Sequence, residues 1–595
     1  MYIDNSLLML AYSFVKVPVR SDENVLKFLS HYTWPTWSDL FELCIEESGS
    51  DSHLNCVELA ELLSFRNSSN HFLRDQSEDC HLVNFRRMGK LCKLLASEHR
   101  EVSFTLLLLI TIITFLKALT SLLTPNKSKS KLPPGPKGLP LVGNLLQLGA
   151  KPHQTLATLA NIHGSIMSLK LGQETTIVMS SAEAAKGVLQ IHDHFLSNRK
   201  VPDAMRGASH DHFSLPFMPV SQQWRELRKL CNELLFSNKN LDATQGLRSK
   251  KVRELYSEIH CSSLKGEPVN IGRLAFKTTI NQLSNTIYSE DFLQSAEKAG
   301  EMKELVTNIM KEVGRPNLAD CFPVLKMIDP HGIRRRTGSY FLKLLNIFKS
   351  LIHKRLELRK DAAGYCTKKD MLDAMLNNAQ HKMDIVKIQR LSLDLFVAGT
   401  DTVTSTVEWA MAELLHNPHV MSKAKEELER IIGKDNLVEE SDIAKLPYLQ
   451  AIVKETFRLH PAVPLLLPRK AEVEFEMHGY TIPKGAQVLI NVWAIGRDPN
   501  LWEKPRLFWP ERFLESEIDF KGRSFELTPF GGGRRICPGL PLAIRLVFLM
   551  LGLFINSFDW KLQAIQPEDM NMDENFGLTL EKAQPVLAVP IIPKH

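Results

Sequence analysis

Cys537 is the residue whose surroundings most suggest chemistry. It stands in the segment Phe530 to Gly539, FGGGRRICPG. A single cysteine is most often a small buried hydrophobe. Here three consecutive glycines allow backbone to approach something closely, and Arg534 and Arg535 favour thiolate over thiol. Pro538 removes one amide donor, and Gly539 permits a sharp turn. A thiolate on a tight loop, with amides directed at the sulfur, suits a soft metal. No second cysteine or histidine lies nearby in sequence, so the other ligands must come from a cofactor. Haem supplies four nitrogens in a plane and needs one axial protein ligand.

Three further constellations carry potential chemistry. Ala398 to Val403, AGTDTV, sets small residues beside an acid and a hydroxyl, Asp401 and Thr402. Ala398 and Gly399 would let a flat or bulky molecule lie against a helix; a solvated polar patch is the plainer alternative. Lys454 to Pro461, KETFRLHP, places Glu455 and Arg458 three apart on one helix face. As a lone surface pair that is worth ~0.2–0.5 kcal/mol. Trp224 to Lys229, WRELRK, puts Trp224 and Arg228 on one face of a helical turn. Helical periodicity over Leu391 to His416 and Asp442 to Leu459 supplies the elements for the first two. Runs rich in β-branched residues, Thr175 to Met179 and Gln487 to Val492, read as strands.

Together these motifs resemble the cytochrome P450 family. Phe530, Gly533, Arg535, Cys537 and Gly539 match every fixed position of its FxxGxRxCxG signature. AGTDTV is similar to the family's oxygen-activation motif, departing at Val403, where a hydroxyl is usual. KETFRLHP matches ExxR, and Arg512 in FWPERF matches its partner. The resemblance covers about residues 132–595 and implies a mainly α fold with small β-sheets. It implies heme b with Cys537 as axial thiolate, and Asp401 and Thr402 as the proton relay to dioxygen. Trp224, Arg228, Arg469 and Arg535 would reach the haem propionates, with Phe530 and Gly539 shaping the cysteine loop. Glu455, Arg458 and Arg512 would form a buried structural network. Electrons would come from NADPH through a separate cytochrome P450 reductase, docking on a cationic face that includes Arg225 and Lys229.

Composition agrees with a globular enzyme. Charged residues make up 24% and hydrophobic residues 44% of the 595. Net charge is only +6, which gives no support to nucleic-acid binding. Nine cysteines without a CxxC pair argue against a zinc ribbon or a secreted disulfide framework. Residues 102–123 contain a run, Phe104 to Leu123, of about the ~20 residues that span a bilayer, and read as a transmembrane anchor. Basic residues balance across it: Arg86, Arg87, Lys90, Lys93 and Arg100 before, Lys127, Lys129, Lys131 and Lys137 after. They set no orientation. Residues 124–144 form a basic, Pro-rich hinge, and 145–595 the catalytic domain. Residues 1–101 are an extension without a motif; a mispredicted upstream exon, with Met88 as a later start, is the expectation. The resemblance implies a single-pass protein of the endoplasmic reticulum membrane, in contact with lipid, its catalytic domain facing the cytosol.

The resemblance implies an apolar substrate wall: Phe213, Phe217, Phe396, Ala398, Gly399, Val463, Leu467 and Phe576. It suits a small lipophilic molecule. His210 and His212 read as exposed loop residues. LPLVGNLLQLG, FVAGTDTVTSTVEWAMAELL and FGGGRRICPGLPLA resemble the plant microsomal geraniol-hydroxylase-like group, which implies a terpenoid substrate. Two alternatives stay open: a flavonoid or alkaloid hydroxylase of the same fold, and a catalytically inactive haem-binding membrane protein.

Overall fold

The computed structural model describes Leu108, Thr111 and residues 131–593, apart from 294, 361–369, 378–382, 435, 564 and the side chain of 296. Apart from Leu108 and Thr111, the expected extension, anchor and first part of the hinge lie outside the described residues.

Two β-branched runs form the antiparallel pair Ile166–Leu171 (β1) and Glu174–Met179 (β2). Helices follow at Gln222–Cys231 (α1), Ile271–Tyr288 (α2), Ala296–Gly314 (α3), Ile333–Lys360 (α4), Ile385–His416 (α5) and Pro447–Leu459 (α6). Arg469–Lys470 (β3) and Gln487–Ile490 (β4) complete a four-stranded sheet of order β1-β2-β4-β3, in which β4 runs parallel to β2. Leu540–Ser557 (α7) and a hairpin of Glu574–Phe576 (β5) and Leu580–Lys582 (β6) follow.

The Pro-rich segment is not a free linker. Ser168 of β1 donates its amide to the Pro134 carbonyl at 2.8 Å and its hydroxyl to that of Pro133 at 2.6 Å. Prolines cannot donate in return, so the segment can only lie along a sheet edge as an acceptor.

α5 is the central element. Asp384 caps it by accepting from the Lys387 amide at 2.7 Å. It is buried around most of its circumference, which is the pattern of an interior helix. α2, α4, α6 and α7 all pack against it. α7 is long and apolar enough to cross a membrane, yet 67% of it is buried inside the protein. It is a core helix.

Two expected elements are shorter than their periodicity suggests. The amphipathic stretch from Asp442 breaks into a 3-10 turn, Glu440–Lys445, and α6. Pro447 has no N–H to continue a helix but is well placed to begin one. The strand from Gln487 stops at Ile490, where Asn491 accepts from the Ala494 amide and starts a short helix.

Near the C-terminal end of α6 lies the most heavily bonded charge in the structure. Arg458 and Glu455 have no exposed side-chain surface. Arg458 Nε and Nη2 donate to the two Glu455 oxygens, each at 2.7 Å. Its other protons go to the carbonyls of Gly496, Pro505 and Leu507, so all five guanidinium donors are used. Glu455 also accepts from the Trp509 amide at 2.7 Å and from Arg512 Nε at 3.2 Å. Removing the carboxylate would leave two guanidiniums together without their counter-charge. Glu455→Ala is expected to lower the unfolding free energy by about 3–5 kcal/mol. Urea denaturation checks this; an unchanged midpoint would mean that the carbonyls alone hold Arg458.

Candidate functional site

Phe457, between Glu455 and Arg458 on α6, carries their order toward the cysteine. Its ring meets Phe530 edge-on at 5.3 Å and Phe520 at 5.5 Å. Phe530 opens the cysteine loop, which is closed by the Cys537 amide donating to the Phe530 carbonyl at 3.0 Å. The turn needs glycine at Gly531 and Gly533, where φ is +68° and +65°. A Cβ on Gly533 would also stand 2.2 Å from the Leu189 carbonyl oxygen. Gly539 lies in a turn, as expected, at the start of α7. Its φ is −78°, so left-handed backbone is not what the turn takes from it.

Cys537 has protein on every side but is open to a central cavity. Burial raises its thiol pKa; the amides of Gly539 and Leu540, directed at the sulfur, and the Arg228 charge pull it down. Those are the contacts a thiolate metal ligand needs.

Beside the sulfur, Arg199, Arg228, Arg469 and Arg535 line the same cavity. Asp193 is the carboxylate near Arg199, Arg469 and Arg535, accepting from Arg469 Nη1 at 2.9 Å. Arg535 gives its donors to the carbonyls of Ser197, Leu215 and Met218. Burial, with the neighbouring Arg469 and Arg228, pushes its pKa down to about 10. Burial pushes Arg199 far below the usual arginine value, with Arg469 and Arg535 adding to the effect, and its Nε has no partner. Four guanidiniums on one cavity wall, three of them near a single carboxylate and one with a buried donor left over, fit a dianionic group such as the two propionates of haem. Sequence reasoning missed Arg199 and Asp193, which sit in unremarkable sequence and join the cluster only through the fold. The Trp224 indole donates to the Leu215 carbonyl at 3.2 Å, so its N–H is already used. Its ring face instead lies 4.5 Å from the Arg535 guanidinium and 5.7 Å from that of Arg228.

α5 presents its acid and its hydroxyl to different places. Thr402 lines the cavity and donates to the Ala398 carbonyl at 2.9 Å. Asp401 is buried away from the cavity, toward α3 and β6. Successive helical residues point about 100° apart, so a neighbouring acid and hydroxyl need not meet. The hydroxyl of Thr307 on α3 is 3.5 Å from Asp401 Oδ1 and donates to Glu581 Oε1 at 2.9 Å. Neither Thr307 nor Glu581 carried any sequence signal.

Of the expected substrate wall, Phe217, Ala398, Gly399, Val463 and Leu467 line the cavity, as does Val403. Phe396 does not. It points into a buried aromatic cluster, 5.0 Å from the rings of Phe292 and Phe348. Phe213 lies under Arg390, 5.5 Å from its guanidinium. Phe576 lines an adjoining apolar chamber and stacks on His153 at 5.3 Å. His210 is buried rather than exposed, bonded through Nε2 to Asp394 Oδ1 at 2.9 Å. Its partner is too distant in sequence for spacing to reveal.

Comparison with known proteins accords with this geometry. The family model described as "Cytochrome P450" matches residues 133–588. The chain is 51% identical to geraniol 8-hydroxylase of Catharanthus roseus over 470 residues, 78% of this chain and 95% of that one. It is 52% identical to 7-ethoxycoumarin O-deethylase of Helianthus tuberosus over 465 residues, 77% and 94% of the two chains. With drimenol monooxygenase of Persicaria hydropiper it shares 48% identity over 476 residues, 79% and 94%. Such coverage takes in the cysteine loop, the α5 motif and the buried ion network together, and the chain therefore belongs to the cytochrome P450 family, as a monooxygenase.

Proposed function

We propose that this monooxygenase hydroxylates a small lipophilic terpenoid. The observation that carries the reading is that Cys537 and Thr402 open onto one cavity whose remaining wall is largely apolar. Relatives named for geraniol and drimenol, both terpenoid alcohols, support the substrate class. A second reading has its own support. A relative at 52% identity de-ethylates 7-ethoxycoumarin, so an aromatic substrate of the flavonoid kind belongs in the same screen.

Heme b, when bound, supplies thiolate-assisted cleavage of dioxygen and insertion of one oxygen atom into a C–H bond. The chain's own residues do the rest. Cys537 would hold the iron, its charge favoured by two amides and Arg228. Arg199, Arg228, Arg469 and Arg535 would hold the propionates, with Trp224 packed against two of these arginines. Thr402, its own proton given to Ala398, accepts from water or substrate within the cavity. Asp401 supplies protons from behind the helix. The apolar wall excludes bulk water and orients the substrate. Arg225 and Lys229 are exposed on α1, where they suit an acidic partner such as NADPH-cytochrome P450 reductase. Residues 102–123 anchor the protein in the endoplasmic reticulum membrane, the catalytic domain facing the cytosol.

Membranes carrying the protein, reduced and exposed to carbon monoxide, are expected to show a strongly red-shifted Soret band that Cys537→Ala abolishes. A band that survives the substitution would remove Cys537 as the ligand. Thr402→Ala is expected to keep that band and the substrate-binding spectrum. Its product formed per NADPH should fall about a hundredfold, the lower bound for acid–base assistance; full coupling would overturn the role of Thr402. Chromatography of products from terpenoid alcohols, flavonoids and alkoxycoumarins separates the two substrate readings.

A further inference from the structure

Asp401 faces away from the cavity, so each proton it gives up must be replaced from behind the helix. The groups on that side are few. From α3 come Thr307 and Lys303, and from the strand region Thr579 and Glu581. Lys303 also lies 3.8 Å from Glu408 Oε2, farther along α5. Thr307 lies 2.9 Å from Glu581 Oε1 and 3.5 Å from Asp401 Oδ1, and the two carboxyls also hydrogen-bond to each other beside it. A hydroxyl has one proton to give and two lone pairs to accept with. Thr307 therefore donates to one carboxyl while accepting from the other, and exchanging those roles moves one proton across it. Asp401 is 1% exposed, whereas Glu581 is only half-buried.

We propose that Glu581, acting through the Thr307 hydroxyl, is the carboxyl that reprotonates Asp401 and is itself refilled from solvent. The inference rests on the reading of Asp401 as proton donor. Each cycle balances: a proton leaves Asp401 for the cavity, one passes from Glu581 through Thr307, and one enters Glu581 from water. Glu581 touches no substrate and acts only through Asp401.

The electrostatics agree with the geometry. Two carboxyls sharing one site cannot both ionise cheaply. Burial raises the Asp401 pKa, while its hydroxyl and carboxyl neighbours and Lys303 pull it down. Burial and then the Asp401 charge raise Glu581 to about 7, against a smaller opposing pull from Thr307 and Lys303. The pair thus retains a proton at neutral pH. A carboxyl whose folded-state pKa lies above its unfolded value binds extra proton in the folded state. Stability linked to it is complete below the unfolded value of 4.5 and is lost as pH rises through about 7.

The test compares Glu581→Gln, Thr307→Val and Asp401→Asn in the full-length holoenzyme. Glu581→Gln is expected to lower product per NADPH about tenfold, less than loss of the acid itself, and to erase a decline in coupling as pH rises through 7. Thr307→Val, which removes only the hydroxyl, should do the same, with the carbon monoxide spectrum and substrate affinity unchanged in both. Independently of turnover, thermal unfolding of Glu581→Gln should lack the parent's loss of stability between pH 5 and about 7.5. If Asp401→Asn uncouples the enzyme while Glu581→Gln and Thr307→Val match the parent, the route through Glu581 is wrong and the role of Asp401 stands. If all three match the parent, the reading of Asp401 falls and this inference falls with it.

Discussion

Glu455 is the group on which the rest of the site depends. Its two oxygens accept from Arg458 and from Arg512, and one also takes the Trp509 amide. Through Arg458, the carbonyls of Gly496, Pro505 and Leu507 are drawn to α6. One carboxylate thus gathers a long irregular stretch with little regular secondary structure of its own. Such a stretch has many backbone groups that no helix or sheet can satisfy. A buried ion pair is weak evidence for net stability. Here it contributes position: Phe457 lies between the paired residues and meets edge-on the phenylalanine that opens the cysteine loop.

The site itself follows a complementary rule. Positive charge is concentrated where the sulfur is, and apolar surface where a substrate would lie. Arg199, with an unpartnered Nε beside the cavity, is a buried charge that the protein alone does not fully satisfy. A bound dianion would offset that cost on binding.

The parts of the site that were legible in the sequence are those fixed by local spacing. Cys537 and its glycines, the Glu455–Arg458 pair and α5 with its small residues Ala398 and Gly399 follow from short-range pattern, whereas Val463 comes into the wall only through the family resemblance. What spacing could not supply is direction and distant partnership. Phe396 is as apolar as its neighbours, but helix phase turns it into an aromatic cluster. His210 is polar and lies in a loop, yet Asp394 draws it inside. Gly539 does sit in a turn, and the left-handed positions of the loop are Gly531 and Gly533, which spacing does not distinguish. Pro447 did carry a local signal, and it divides a stretch whose periodicity alone reads as continuous.

The two faces of α5 have a consequence for how enzymes of this kind can diverge. Ala398, Gly399, Thr402 and Val403 look into the cavity, while Asp401 looks out toward Thr307 and Glu581. A change of shape on the inner face leaves the outer carboxyls in their own surroundings. If the proposed roles hold, selectivity and proton handling would be modular within two turns of one helix, and mutation could explore new substrates while the acid on the far side keeps its setting.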